Sequence, residues 1–169
     1  MRMWGKLVLG LMLTVLPAAS GCVVGGPSGD VRTGKAAPGF SAISINSTII
    51  NLSDYKGKPV FINFWAIRCP YCVAEMPLIQ QVYDEYAAQG LVVLGIDNGE
   101  SLGNVKPFID KGGSTYTILL DQDSAVANAY GVFSLPASFF VDRNGVVRGI
   151  AVAPFQSKGD IEKYLREIL

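Results

Sequence analysis

The sequence predicts an α/β fold in which helices flank a central mixed β-sheet. Two segments carry this prediction, residues 59–64 and 91–97, because both are apolar runs rich in β-branched residues. Uninterrupted apolar strands are typical of a sheet that is covered on both faces. A helical pattern follows each of them. The first helix runs to about Gln89 before Gly90, a natural helix C-cap, and the second covers residues 105–111.

The remaining segments predict an N-terminal β-hairpin, a middle strand and helix, a second hairpin and a closing amphipathic helix. In chain order they occupy residues 40–52, 116–121, 123–130, 137–150 and 157–169. Alternating apolar and polar residues predict the first hairpin. The second is predicted by Asn144–Gly145, a strong hairpin-turn signal between β-branched runs. In the closing helix we expect the apolar residues to face inward at Ile161, Leu165 and Ile168.

The N-terminus has the layout of a targeting segment. Arg2 and Lys6 precede an uncharged, Leu-rich stretch, and small residues lead to Cys22. This layout resembles a bacterial lipoprotein signal, which implies that Cys22 carries a lipid. An uncleaved membrane anchor and simple secretion with a free Cys22 remain alternatives, and all three place the protein outside the cytoplasm. We therefore expect a signal peptide at 1–21, a flexible tether rich in small residues at 22–36, and one domain at 37–169.

Composition excludes several functions. The chain has 14 basic and 14 acidic residues, and removal of residues 1–21 takes away Arg2 and Lys6, which leaves 12 against 14, a net charge of −2. Nucleic-acid binding is not expected without a basic surface. A zinc site needs four ligands, whereas this chain has three cysteines and no histidine. We expect no metal, no cofactor and a monomer.

The pair Cys69 and Cys72 stands where the first predicted strand passes into a helix. Cys69 is expected at the helix N-terminus, where free N–H groups and the helix dipole stabilise the thiolate that attacks disulfides. Cys72 lies on the same helical face and can close a small ring with Cys69. A purely structural disulfide across so short a loop would stabilise the fold little. The spacing therefore indicates thiol–disulfide exchange, and Arg68 beside Cys69 is expected to lower the pKa of that thiol.

The combination of Asn63-Phe64-Trp65-Ala66, the Cys69–Cys72 pair, Glu75 and Pro77 resembles the thioredoxin superfamily. Within it, the pattern is similar to extracytoplasmic proteins of the TlpA/ResA type, from about Ala37 to the C-terminus. The resemblance implies a thioredoxin-like fold with an added N-terminal hairpin and a central helix–strand insertion. Two features depart from the family pattern, namely Arg68 where Trp is common and the Pro70–Tyr71 dipeptide, which is found in glutaredoxins.

The resemblance also implies further site residues. Pro136 matches the proline that is cis in the superfamily, which would expose the backbone of Leu135 to an extended substrate. Glu75 follows Cys72 on the same helical face and is the candidate for proton transfer. The substrate side is expected to comprise Trp65, Arg68, Pro70, Tyr71 and Leu135. Of these, Tyr71 should be exposed over the dithiol, and Trp65 should pack under the loop.

The implied function is reduction of extracytoplasmic protein disulfides, of the kind that precedes haem attachment to apocytochrome c. A membrane thiol–disulfide protein would then return electrons to the pair. Oxidative folding, as a disulfide donor or isomerase, is the alternative, because the same steps run backwards. A thiol peroxidase or a copper-delivery protein is less favoured, since Ala66 replaces the peroxidase threonine and no histidine is present. Arg68 and Pro70–Tyr71 predict a potential nearer about −200 to −230 mV than about −270 mV.

Overall fold

The computed structural model describes residue 1 and residues 31–169. The predicted signal peptide, Cys22 and most of the predicted tether lie outside the described residues. Within the described part of the chain, no helix is both long and apolar enough to cross a membrane.

One seven-stranded mixed sheet forms the framework, with the strand order β2-β1-β5-β4-β3-β6-β7. The strands are β1 (Ser41–Ser44), β2 (Ile49–Asn51), β3 (Val60–Trp65), β4 (Val92–Asn98), β5 (Thr117–Asp121), β6 (Ala137–Val141) and β7 (Val147–Ala151). The helices are α1 (Pro70–Tyr86), α2 (Leu102–Gly112), α3 (Ala125–Ala129) and α4 (Lys158–Leu165). The predicted α/β class, both hairpins and the central helix–strand unit are confirmed.

Strand β3 lies in the middle of the sheet and leads directly to the cysteine pair. It runs parallel to β4, with Val60 opposite Val92, and antiparallel to β6, with Asn63 opposite Ser138. All six of its residues are buried. Alternate side chains enter two separate cores: Phe61 and Trp65 pack toward α1 and α4, whereas Ile62 and Phe64 pack on the other face. This double coverage explains why the strand is apolar throughout.

Helix α1 packs one side against the hydrophobic core. Val82 is fully buried, while Tyr83 and Tyr86 are only partly buried at the edge of the core. Glu75 is also buried. The helix ends in a short 3-10 turn before Gly90, whose positive φ of 95° provides the predicted C-cap.

The folded domain begins slightly before the predicted boundary at Ala37. The Gly34 N–H donates to the Val147 carbonyl at 2.8 Å, and Ala36 forms a β-bridge with Val146. The end of the predicted tether at 34–36 is therefore bound to the domain. The reason is that β7 is an edge strand, whose free backbone groups accept another extended segment.

Candidate active site

The cysteine pair lies at the C-terminal end of β3, where the chain turns into α1. Cys69 and Cys72 form a disulfide, with their Cα atoms 5.3 Å apart. Cys69 is the N-cap residue of α1, and its sulfur accepts a hydrogen bond from the Cys72 N–H at 3.2 Å. Pro70 takes the first helical position, where its missing N–H costs nothing. The local sequence thus places the Cys69 sulfur at the positive end of the helix dipole.

The two sulfurs differ in their access to solvent. Cys72 is 0% exposed, whereas Cys69 is partly exposed at the start of the helix. Pro70 and Tyr71 are both exposed, and Tyr71 retains 68% of its accessible surface. A protein substrate can therefore reach Cys69 directly, but Cys72 only through Cys69.

A groove beside Cys69 contains the segment before β6. Arg68, Cys69 and Leu135 line it together. The Leu135–Pro136 peptide bond is cis, as the resemblance predicted. Pro136 itself is buried, while Leu135 is partly exposed. The structure therefore brings the Leu135 segment to the accessible cysteine, although the two are 66 positions apart in the chain.

Glu75 is a buried carboxylate one turn beyond Cys72, with an exposed fraction of 1%. Its Oε1 accepts from Asn63 Nδ2 at 2.9 Å, and its Oε2 accepts from the Phe155 N–H at 2.9 Å. Asn63 Nδ2 also donates to Ser138 Oγ at 3.0 Å. Burial raises the pKa of Glu75, and the hydrogen bonds from Phe155 and Asn63 partly oppose that rise. The carboxyl is thus held inside the protein, within a polar network adjoining the buried cysteine.

Arg68 does not present a free charge to Cys69. Its Nη1 lies 3.5 Å from Glu100 Oε1, an ion pair whose acidic partner has a side-chain exposure of only 15%. Glu100 also accepts from the Ile67 N–H at 2.7 Å. The neighbouring Asp97 is fully buried. Sequence reasoning missed both acids, whose only signal was their position at the end of the second predicted strand and just after it.

Trp65 lies in the core and does not line the groove beside Cys69. It is 0% exposed, and its ring stacks on Phe108 of α2 with centroids 5.8 Å apart. It packs inside the protein, and its assignment to the substrate-binding side stays a prediction that this burial does not favour. The pleat of β3 points this side chain into the core that α1 and α4 cover.

Phe133 is a site residue that sequence reasoning missed. It lines the same groove as Cys69 and Leu135 and is 96% exposed. A fully exposed aromatic residue on a short loop has no folding role that burial would explain. Its signal in the sequence was a large apolar residue in the turn that separates Gly131 from Pro136.

Comparison with known proteins agrees with this geometry. The model of the AhpC/TSA family matches residues 33–150. A thiol-disulfide oxidoreductase ResA from Geobacillus thermodenitrificans is 38% identical over 138 residues, which cover 82% of this chain and 79% of that protein. A thiol:disulfide interchange protein of the thioredoxin family from Chlorobium tepidum has a solved structure with a TM-score of 0.71 and 32% identity, covering 81% of this chain and 97% of that one. A secreted Mycobacterium tuberculosis disulfide oxidoreductase homologous to E. coli DsbE gives a TM-score of 0.68 at 25% identity, covering 75% and 94%.

Proposed function

This chain belongs to the AhpC/TSA family and is a thiol–disulfide oxidoreductase with a thioredoxin-like fold, and from this premise we propose that it reduces disulfides of extracytoplasmic proteins. The observation that carries the exchange chemistry is the unequal access to the two sulfurs at the start of α1, and the pairing of Arg68 with Glu100 supports the reducing direction. Cys69 is partly exposed as the helix N-cap, and Cys72 is fully buried. This asymmetry supports attack by Cys69 and resolution by Cys72.

The reaction begins with both thiols reduced. The Cys69 thiolate attacks one sulfur of the substrate disulfide, which forms a mixed disulfide and expels a substrate thiolate that takes up a proton. Cys72 then loses its proton and attacks the Cys69 sulfur, which releases the second substrate thiol. Two electrons pass to the substrate, and the protein is left with the Cys69–Cys72 disulfide present in this structure.

Glu75 is proposed to accept the proton that Cys72 loses. It follows Cys72 by three residues on α1, and both side chains are buried. Burial raises the pKa of Glu75, so its carboxylate is a stronger base than an exposed one. The raised pKa is also closer to the working pH, where proton transfer is most efficient. Asn63 and the Phe155 N–H hold its two oxygens in place.

The substrate is proposed to lie as an extended segment along Leu135. Main-chain pairing with an added strand is independent of sequence, which suits a reductant of protein disulfides. Phe133 and Tyr71, two exposed aromatic residues beside the pair, would contact apolar residues that flank the substrate cysteine. Arg68 and Pro70 complete the rim of this surface.

Apocytochrome c is the proposed substrate, and a membrane thiol–disulfide protein is the proposed electron donor. The chain would work outside the cytoplasm as a monomer, held at the membrane by a lipid on Cys22. Support for the reducing direction comes from Arg68: the sequence suggested that its charge favours the thiolate, but the Glu100 carboxylate pairs with it. One of the two reasons for an oxidising potential is therefore weakened.

Donation of disulfides during oxidative folding is the second candidate. The observation in its favour is Pro70–Tyr71, the dipeptide between the cysteines, which lies exposed at the start of α1. The same groove and the same two sulfurs would serve that reaction, with the steps reversed.

A trapping experiment tests the proposal. The reduced Cys72→Ser variant should form a stable mixed disulfide with an oxidised apocytochrome c, since the resolving thiol is absent. Cys69→Ser is the matched control and should trap little, because Cys72 is buried. The wild-type chain should release the apocytochrome as a dithiol. Failure of the reduced wild-type chain to reduce it, together with oxidation of a reduced unfolded protein by the disulfide form, would favour the second candidate.

A further inference from the structure

We propose that Glu100 is a positioning residue for the redox pair, which fixes the segment before Cys69 and offsets the charge of Arg68 beside the nucleophile. The inference rests on the thiol–disulfide chemistry of Cys69 but not on the direction of electron flow. Glu100 lies outside every motif that identified the site, in the loop between β4 and α2.

One carboxylate makes three contacts with the two residues that precede the nucleophile. Oε2 accepts from the Ile67 N–H at 2.7 Å, and Oε1 accepts from the Arg68 N–H at 3.4 Å. The Arg68 guanidinium lies 3.5 Å from the same Oε1. Ile67 and Arg68 leave the end of β3 without strand partners, so Glu100 supplies acceptors that the sheet does not. Two main-chain contacts on one carboxylate define the path of this short segment.

The position of Glu100 is itself determined by its neighbours. Gly99 has a φ of +90°, a conformation that favours glycine, and its N–H donates to the Asp121 carbonyl at 3.0 Å. The Glu100 N–H donates to Asp97 Oδ1 at 3.0 Å. This turn directs the Glu100 side chain back toward the loop after β3.

Asp97 is the buried neighbour of Glu100. It is 0% exposed, and within the described part of the chain its Oδ2 accepts no hydrogen bond, so this oxygen can carry a proton and donate to Glu100. Burial, together with the adjacent Glu100 carboxylate, raises the pKa of Asp97 to about 8. Although burial opposes it, hydrogen bonds from Asp97, Ile67 and Arg68 lower the pKa of Glu100. The raised pKa of Asp97 and the lowered pKa of Glu100 favour a negative charge on Glu100 rather than on Asp97.

The negative charge on Glu100 determines how strongly Arg68 affects the pKa of the Cys69 thiol. Arg68 and Cys69 line the same groove, so a free guanidinium would stabilise the Cys69 thiolate. Paired with Glu100, Arg68 contributes a nearly neutral group instead. Because the Arg68 side chain is 58% exposed, solvent screens the interaction, and we expect a shift of about half a pKa unit, or about threefold in thiol acidity.

A mutant cycle in the full chain measures the charge effect, with Cys22→Ser in every variant. The readout is the pH dependence of Cys69 alkylation in the reduced protein, located by peptide mapping. We expect Glu100→Gln to lower the Cys69 pKa by about half a unit, and Arg68→Gln to raise it by a similar or smaller amount. In the Arg68→Gln background, Glu100→Gln should have less than half of its single-variant effect. Asp110→Asn, at an exposed ion pair with Lys106, is the control for loss of a distant charge and should change nothing.

Amide hydrogen exchange measures the positioning effect. Glu100→Ala removes both acceptors and should accelerate exchange of the Ile67 amide at least tenfold, whereas Glu100→Gln keeps an acceptor oxygen and should restore most of the protection. If Glu100→Ala does not fold, the Glu100→Gln and Arg68→Gln cycle still decides the proposal. Unchanged Cys69 acidity in Glu100→Gln, or an equal effect with and without Arg68, would overturn it. Neither readout uses a substrate, so either result leaves the proposed reductase activity to its own test.

Discussion

Glu75 offers a sharp test of the buried polar network behind the cysteines. Replacement by alanine leaves two buried donors without acceptors, one hydrogen of Asn63 Nδ2 and the Phe155 N–H. Each orphaned donor costs about 1–3 kcal/mol, so we expect Glu75→Ala to lower the free energy of unfolding by about 2–6 kcal/mol. That is a large share of the stability of an ordinary domain, about 5–15 kcal/mol.

Glutamine should be tolerated far better. Its oxygen can accept from the Phe155 N–H, and its NH₂ group can donate to Asn63 once the Asn63 amide rotates. The Ser138 hydroxyl permits that rotation because it can donate as well as accept. We therefore expect Glu75→Gln to change stability by less than about 1.5 kcal/mol at pH 4.5, near the ordinary pKa of the carboxyl.

The raised pKa of Glu75 also predicts how the stability difference between Glu75→Gln and the wild type changes with pH. Because the pKa of Glu75 is raised by burial, the folded wild-type protein holds this proton more tightly than the unfolded chain does. The stability that this proton contributes is present below the ordinary pKa and is lost as pH rises through the folded pKa. Glutamine does not titrate, so the stability of Glu75→Gln relative to wild type should increase between pH 4.5 and 7.5.

Urea unfolding of the oxidised proteins at these two pH values measures both effects. Glu85→Gln, at an exposed ion pair with Lys158, is the control and should show a small effect at either pH. Equal destabilisation by alanine and glutamine, with no change in their difference from wild type between the two pH values, would refute the reasoning. It would mean that Glu75 is neither desolvated nor required as a hydrogen-bond acceptor.

Three further predictions concern the site and its support. Because its pKa is raised to about 8, Asp97 makes the wild-type protein lose stability as the pH rises toward that value. In urea unfolding, the stability of Asp97→Asn relative to wild type should therefore be greater at pH 8 than at pH 5 by at least about 1 kcal/mol. An equal effect at both pH values would contradict this. Phe133→Ala should reduce kcat/KM about tenfold for a peptide disulfide with flanking apolar residues but leave a small aromatic-free disulfide unaffected, and a loss on both would assign Phe133 to the chemistry instead. Glu75→Gln should slow the resolution of a trapped mixed disulfide at least tenfold at pH 7 while attack by Cys69 stays within twofold, and equal slowing of the two steps would remove the proposed proton role.

Local sequence patterns are sufficient to predict features that depend only on neighbouring residues in the chain. The apolar run at β3, the Cys69–Cys72 spacing and the Asn144–Gly145 turn each act within a few residues, and each predicted its element correctly. Pro136 is different, because local preference favours a trans bond and only the family resemblance predicted the cis bond.

Contacts between distant segments could not be predicted in this way. Glu100 contacts Arg68 across 32 positions, and the Phe155 N–H reaches Glu75 across 80. Hydrophobic periodicity carries no information on which carboxylate meets which amide. The sequence alone therefore shows the charge of Arg68 without its partner, and the pairing with Glu100 reduces the expected effect of that charge on Cys69.

The reduction potential of the Cys69–Cys72 pair tests the central claim most directly. Equilibration of the protein against glutathione buffers, with the fraction of disulfide measured by thiol labelling, gives this value. Because Glu100 offsets Arg68, we expect a potential below about −230 mV, toward the thioredoxin value of about −270 mV, as a reductant requires. A potential within or above the glutaredoxin range of about −200 to −230 mV would contradict the account, and a value well above that range would point to a disulfide donor.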